Sequence, residues 1–299
     1  MAGEHIDLFP GFSARCLDTP TAEIFVRIGG AGPPLMLMHG YPQTHACWHQ
    51  VAPRLADRFT VVVGDLPGYG ASIAKNEKDE TAYSKRTMAT ALLACMRQLG
   101  FHRFSMAGHD RGGRVAYRLA LDFPEHVERL AVLAILPTFA MWRRLHDCEY
   151  AMKAFRWFFL AQPDPLPQRL IAAAPVVYLR QTLAGWSAGK DLSAFAPEAL
   201  AAYEAAFVRD SVIAAGCADY RAGWTMDRAD DERNVQSDQK IRCPVLALWG
   251  RAEFPDDEEM LQAWASIATD VQGEAIRCGH FLPEEAAHDT AECLLRFFT

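Results

Sequence analysis

The hexapeptide Gly108-His109-Asp110-Arg111-Gly112-Gly113 leaves this chain few folds to choose from. An apolar run at 104–107 leads into it and a helical pattern at 114–121 leads out. Small residues at these spacings let a strand turn sharply into a helix, and such an elbow projects its central side chain from the bend. Here that side chain is Asp110, a carboxylate able to attack saturated carbon and leave an ester on the protein. Taken alone, a Gly-rich turn with an Asp helix cap has the same spelling. The rest of the chain fits the elbow. Short apolar runs at 24–28, 35–38, 60–63, 104–107, 130–135, 245–249 and 274–277 read as strands. Helical patterns at 88–99, 114–121, 258–267 and 284–298 lie between or after them. That alternation predicts an α/β fold, a mostly parallel sheet flanked by helices.

The rhythm breaks between residues 138 and 240, where Trp, Tyr, Phe and Ala recur at helical spacing and no strand is evident. Pro163, Pro165 and Pro167 punctuate this stretch and a charged run at 227–233 closes it. The expected organisation is a core from 1–137, an inserted helical cap from 138–240, and the remaining core from 241–299. A cap there lies over the carboxyl ends of the strands, where open α/β sheets place ligands, and excludes water.

Composition bounds the function. At 299 residues and 51% apolar, the chain can bury a large core without disulfide or metal staples. Its eight cysteines (16, 47, 95, 148, 217, 243, 278 and 293) show no CxxC spacing and read as reduced thiols. No HExxH or metal-ligand cluster stands out, so neither metal nor cofactor is expected. Thirty basic against 37 acidic side chains give −7, which disfavours nucleic acid and anionic membrane surfaces. No apolar run approaches the ~18 residues of a membrane span. The segment MAGEHIDLFPGF lacks the layout of a secretory signal. A cytoplasmic protein is expected.

Two further motifs stand in consistent chain order. His39-Gly40-Tyr41-Pro42 follows the run at 35–38, and the backbone N–H groups of Tyr41 and Arg111 suit an oxyanion hole. Cys278-Gly279-His280-Phe281 follows the last strand and places His280 as a general base. Asp65-Leu66-Pro67-Gly68-Tyr69-Gly70 reads as a structural turn. Arg111 and Arg114, three apart at a helix start, can face one side as two planar forks suited to a carboxylate. These features predict a small anionic substrate.

With HGYPQTH (39–45), DLPGYG (65–70), GHDRGGR (108–114), ILPT (135–138), RWFFLAQP (156–163), DYRAG (219–223) and GHFLPEE (279–285), the chain resembles the α/β-hydrolase superfamily. Within it, the chain is similar to the haloacetate (fluoroacetate) dehalogenases, relatives of the epoxide hydrolases and haloalkane dehalogenases. The resemblance implies an α/β-hydrolase fold and a homodimer. It also implies that Arg111 and Arg114 hold the carboxylate of a haloacid so that its α-carbon faces Asp110. Halide donors come by resemblance from the cap, Trp157 and Tyr220. Arg156 stands where the family usually has His, which puts a permanent cation in the expected halide site.

The resembling dehalogenases carry an Asp after the strand that follows the elbow helix, and here that position is Ala134. Elsewhere in the superfamily the acid follows the next strand, in patterns like WGxxD. This chain reads Trp249-Gly250-Arg251-Ala252-Glu253, so Glu253 is the expected replacement, with Asp256 and Asp257 as secondary candidates. The expected function is hydrolytic dehalogenation of a 2-haloacid to the 2-hydroxyacid. Asp110 forms the ester and His280, oriented by Glu253, activates the water. Two alternatives stay open. One is an epoxide hydrolase using Tyr220 with Tyr150, Tyr178 or Tyr203. The other is a ligand-binding member weakened by Ala134.

Overall fold

The computed structural model describes residues 7–299, so the first half of the segment read for a leader, residues 1–6, lies outside the described residues. The strands are β1 (Ser13–Asp18), β2 (Ala22–Gly29), β3 (Pro34–Met38), β4 (Thr60–Gly64), β5 (Ile73–Ala74), β6 (Phe104–His109), β7 (Val127–Leu133), β8 (Val245–Gly250) and β9 (Val271–Ile276). They form one sheet in the order β1-β2-β4-β3-β6-β7-β8-β9, with β5 on the side of β2. From β4 through β3 to β9 every pairing is parallel, and β1, β2 and β5 pair antiparallel. Strands β6 and β8 are buried at every position, because helices cover both faces of a parallel sheet.

The central strands and helices fall where hydrophobic patterning puts them; the differences have local causes. Strand β1 carries almost wholly exposed side chains on the sheet edge, so it offers no apolar alternation to read. The run expected at 130–135 begins earlier and stops at Leu133, because Ala134 takes φ +56°, outside any strand conformation. The last helical pattern divides into Leu282–Glu285 and Ala287–Phe298.

Between β7 and β8 the described chain is helical, from Thr138–Arg144 to Arg228–Gln236, with a π-helical turn at Gly223–Asp227. The elbow helix Arg111–Asp122 ties both ends of this cap to the core. Tyr117 Oη reaches Thr138 Oγ1 at 2.6 Å and donates to Asp231 Oδ2 at 2.8 Å. Arg118 donates to Asp231 and Asn234.

The fold places every loop of interest at one sheet edge. From β3 the chain adds β4 on one side and β6 on the other, and α/β sheets open a crevice where the strand order reverses in this way. His39–Tyr41 follow β3, Asp110 follows β6, Ala134 follows β7, Glu253 follows β8 and His280 follows β9.

Behind this edge one buried acid is held neutral. Glu284 meets Tyr203 Oη and Gln43 Nε2 through Oε1, and its Oε2 has no hydrogen-bond partner among the described residues. Burial pushes its carboxyl up to about 8. Between the ordinary Glu value and about 8 the unfolded chain has released this proton while the folded chain keeps it, so stability falls as pH rises through that window. Glu284→Gln has no proton to lose and is therefore expected to stabilise the protein at pH 8 by several kcal/mol at most, about 1.4 kcal/mol for each pH unit of that window. Near pH 4 the gain should vanish. Thermal melts of both proteins across pH 4–9 test this; a gain independent of pH would contradict it.

Candidate active site

Asp110 leaves β6 with φ +46° and ψ −117°, a sparsely populated conformation for a residue with a side chain. The turn closes because residue 112 is glycine: a Cβ there would sit 2.3 Å from the His39 carbonyl oxygen. The same close approach brings the His39–Tyr41 loop to the carboxylate. Tyr41 N–H donates to Asp110 Oδ1 at 2.8 Å. Asp110 Oδ2 lies 3.8 Å from His280 Nε2. His280 Nδ1 lies 2.8 Å from Glu253 Oε2, a bond in which Nδ1–H donates and Nε2 is left to accept a proton.

Electrostatics set the resting charges. Burial alone raises the Asp110 carboxyl, but His280, His109, Arg111 and Arg114 outweigh it and hold it below the usual range, as an ionised carboxylate. For His280 burial acts downward, and Glu253 with Asp110 outweighs it, so the ring binds its proton more tightly than a free imidazole.

Asp110, His280 and Glu253 open onto a cavity of about 410 Å³ under the cap, together with Arg114, Ala134, Trp157, Trp186 and Tyr220. Arg114 donates through Nη1 to Leu136 O at 3.1 Å and Thr138 Oγ1 at 3.0 Å, and its buried Nε–H has no partner among the described residues. Its guanidinium lies 4.6 Å from the Trp157 ring centroid. Trp157 and Tyr220 pack edge to face at 5.5 Å. Burial first, then the Asp110 charge, keeps the Tyr220 hydroxyl protonated and so available as a donor.

The structure does not bring every expected residue to the cavity wall. Arg111 is wholly buried behind Tyr220 and engaged by Asp219, its Nε 3.0 Å from Oδ2 and its Nη2 2.8 Å from the backbone oxygen. Only Nη1 has no partner among the described residues. Lys85 and Tyr69 also meet Asp219, and burial is outweighed there by Arg111 and Lys85, so the acid stays ionised. The Arg111 backbone N–H makes no hydrogen bond to Asp110 in this arrangement, unlike that of Tyr41. Arg156, expected beside the halide, instead turns its Nε to Thr182 Oγ1 at 3.1 Å and stacks over Trp186, off the cavity wall. It is a long side chain on a five-residue helix, and a neighbouring helix offers it an acceptor and aromatic faces.

Other expectations resolve simply. Asp256 caps the helix Asp257–Ala265 by accepting from Glu258 N and Glu259 N, and Asp257 bonds Trp249 and Arg251. Asp65 holds the turn it opens through His45 N and Ala71 N. Tyr150 lines the cavity, whereas Tyr178 and Tyr203 do not. All eight cysteines are free. His45 and His49 do stand four apart, a spacing that metal sites also use, but one ring bonds Asp65 and the other a backbone carbonyl. Among the described residues no group of three or more His, Cys, Asp or Glu is placed to hold a metal. No helix among them is long and apolar enough to cross a membrane. Asp219 is the partner that sequence reading passed over; its only signal was its place beside Tyr220 in DYRAG.

A sheet of this order, an elbow carboxylate, and a His with its acid on successive strand ends define an α/β hydrolase. The chain belongs to the alpha/beta hydrolase fold family, whose profile matches residues 33–287. It is 39% identical over 295 residues to a fluoroacetate dehalogenase of Burkholderia sp, covering 98% of this chain and 95% of that one. It is 34% identical over 270 residues to a soluble epoxide hydrolase of Corynebacterium sp. (strain C12), covering 90% and 91%. A solved alpha/beta hydrolase structure from Nostoc sp PCC 7120 superposes with a TM-score of 0.90 at 47% identity, over 96% of this chain and 98% of that one. The protein is thus a hydrolase of the dehalogenase and epoxide hydrolase type.

Proposed function

We propose that this protein hydrolyses the carbon–halogen bond of a small 2-haloacid. The observation that carries the reading is the ionised Asp110, bonded by Tyr41 N–H and facing His280 Nε2 at 3.8 Å, in a cavity whose wall also carries the Arg114 guanidinium. The substrate carboxylate docks on Arg114, with Arg111 Nη1 adding positive potential from behind. Asp110 Oδ2 attacks the α-carbon, the carbon–halogen bond breaks, and halide leaves toward Trp157 and Tyr220. His280 Nε2 then takes a proton from water as its oxygen adds to the Asp110 ester carbon. The developing charge falls on Oδ1 at Tyr41 N–H. Collapse breaks the bond from that carbon to Oδ2, and the His280 proton passes to the departing oxygen. The products are the 2-hydroxyacid, halide and one net proton.

Halide release from fluoroacetate and chloroacetate tests the reaction, and one turnover in ¹⁸O-water tests the route. The incoming oxygen should label Asp110 while the first product keeps an unlabelled hydroxyl. Label confined to product after one turnover would exclude the ester.

A second reading has one observation in its favour. Tyr150 and Tyr220 both line the cavity, and two such hydroxyls can protonate an opening epoxide while Asp110 attacks. Diol formation without halide release decides for it.

A further inference from the structure

The segment GHFLPEE carries a second acid that the catalytic scheme leaves unused. Glu285 ends the short helix Leu282–Glu285 and folds its carboxylate back under the loop bearing His280. Its Oε2 accepts from Gly279 N at 2.9 Å and its Oε1 from Phe281 N at 2.9 Å, the residues on either side of His280. Oε2 also accepts from Ala188 N at 2.8 Å, in the cap turn that follows the helix Pro175–Trp186. One carboxylate thus gathers three N–H groups from two segments nearly a hundred residues apart, and such charge-assisted bonds are the strong kind.

Three further contacts seat the same two segments together. His280 N–H donates to Trp186 O at 3.1 Å. The Trp186 and His280 rings pack edge to face with centroids 5.0 Å apart. A Cβ on Gly279 would lie 2.4 Å from Ala188 N, so glycine is what lets the backbones meet. On the far side, the His280 carbonyl lies 2.8 Å from His109 Nε2. The backbone of the base is therefore fixed from the cap, from the elbow strand and from Glu285. Trp186, Gly279 and His280 line the cavity and Glu285 does not, so Glu285 touches no reacting atom; it acts through the loop it holds and through its charge, which adds to those that raise His280.

We propose that Glu285 is a positioning residue that fixes the aim of the His280 ring and ties that aim to the seated position of the cap turn 186–188. The proposal rests on the reading of His280 as the base. Its consequence is a division between the two half-reactions. Alkylation of Asp110 needs no base, whereas hydrolysis of the ester needs His280 aimed to within a few tenths of an ångström.

The test uses the whole 299-residue chain with Glu285→Ala and Glu285→Gln, the latter keeping one acceptor oxygen. In single turnover with chloroacetate, the halide burst of Glu285→Ala should stay within about twofold of the unsubstituted protein. Decay of the ester should slow by about 10²-fold, the scale of a misplaced catalytic group, with Glu285→Gln between. Nitrogen-15 spectra of the histidine rings give a readout that needs no turnover: the Nδ1–H signal bonded to Glu253 should shift or broaden in both variants. An ester that decays at the unsubstituted rate overturns the proposal, as does a parallel fall of burst and decay that tracks lost melting temperature. If the unsubstituted protein releases no halide, the dehalogenase reading fails. The ring spectrum then decides alone, and an unchanged His280 signal in folded Glu285→Ala overturns the positioning role. If Glu285→Ala does not fold, Glu285→Gln carries the same comparisons.

Discussion

Glu253→Gln is expected to leave the first release of halide nearly intact and to let the Asp110 ester accumulate. The carboxylate at 2.8 Å from Nδ1 does two things for His280. It selects the tautomer whose Nε2 accepts, and in the proposed mechanism it stabilises the imidazolium formed when water is deprotonated. A Gln amide still fits the space but offers no charge, and its NH₂ can donate to Nδ1 and fix the wrong tautomer. A fully buried orienting acid is worth about 10⁴ in turnover. Glu253 has 28% of its side chain exposed, so water partly screens its charge, and roughly 10²–10³ is expected here. Rapid-quench kinetics with intact-protein mass measurement separate the two half-reactions. Unchanged ester decay would remove Glu253 from the site. Ala134→Asp in the Glu253→Gln background should recover part of the loss, because Ala134 lines the same cavity after β7 at φ +56°, a conformation Asp tolerates better than Ala.

The substitution at 134 shows how far a sequence of this kind can be read. The elbow was legible because its glycines are forced by backbone approach, and the strand ends because buried parallel strands must be apolar throughout. Glu253 was legible only through the resemblance, which implies an acid at residue 134, here Ala, or at the end of the next strand; the structure places Glu253 2.8 Å from Nδ1 of His280. What sequence could not give was the distribution of charge across elements distant in the chain. Arg111 and Arg114 are near neighbours on one helix, and spacing alone makes them equals. The structure separates them, because Asp219, 108 positions on, takes up Arg111, whereas Thr138 and Leu136 hold Arg114 through neutral oxygens. Arg156 is the same lesson in reverse. A cation beside Trp157 in sequence need not share its cavity once a neighbouring helix supplies Thr182.

That asymmetry predicts different outcomes for the two arginines. Arg114→Leu removes the cationic side chain that lines the cavity, and truncating one member of a buried charge pair costs about 2–5 kcal/mol of binding. KM for a haloacid should therefore rise by about 10²–10³-fold at modest change in kcat, with the fold kept, since only bonds to neutral oxygens are lost. Arg111→Leu should fail differently. It strips Asp219 of its main partner and leaves that buried carboxylate to Lys85 and Tyr69, a break of the kind that costs about 3–5 kcal/mol of stability. Its signature should be a fall in melting temperature. Steady-state kinetics on chloroacetate and on a neutral epoxide, with melts of both variants, distinguish the roles. If Arg114→Leu weakens both substrates alike, Arg114 does not recognise a carboxylate. The anionic substrate then loses its main support, because Arg111 is already neutralised by the acid it was folded around.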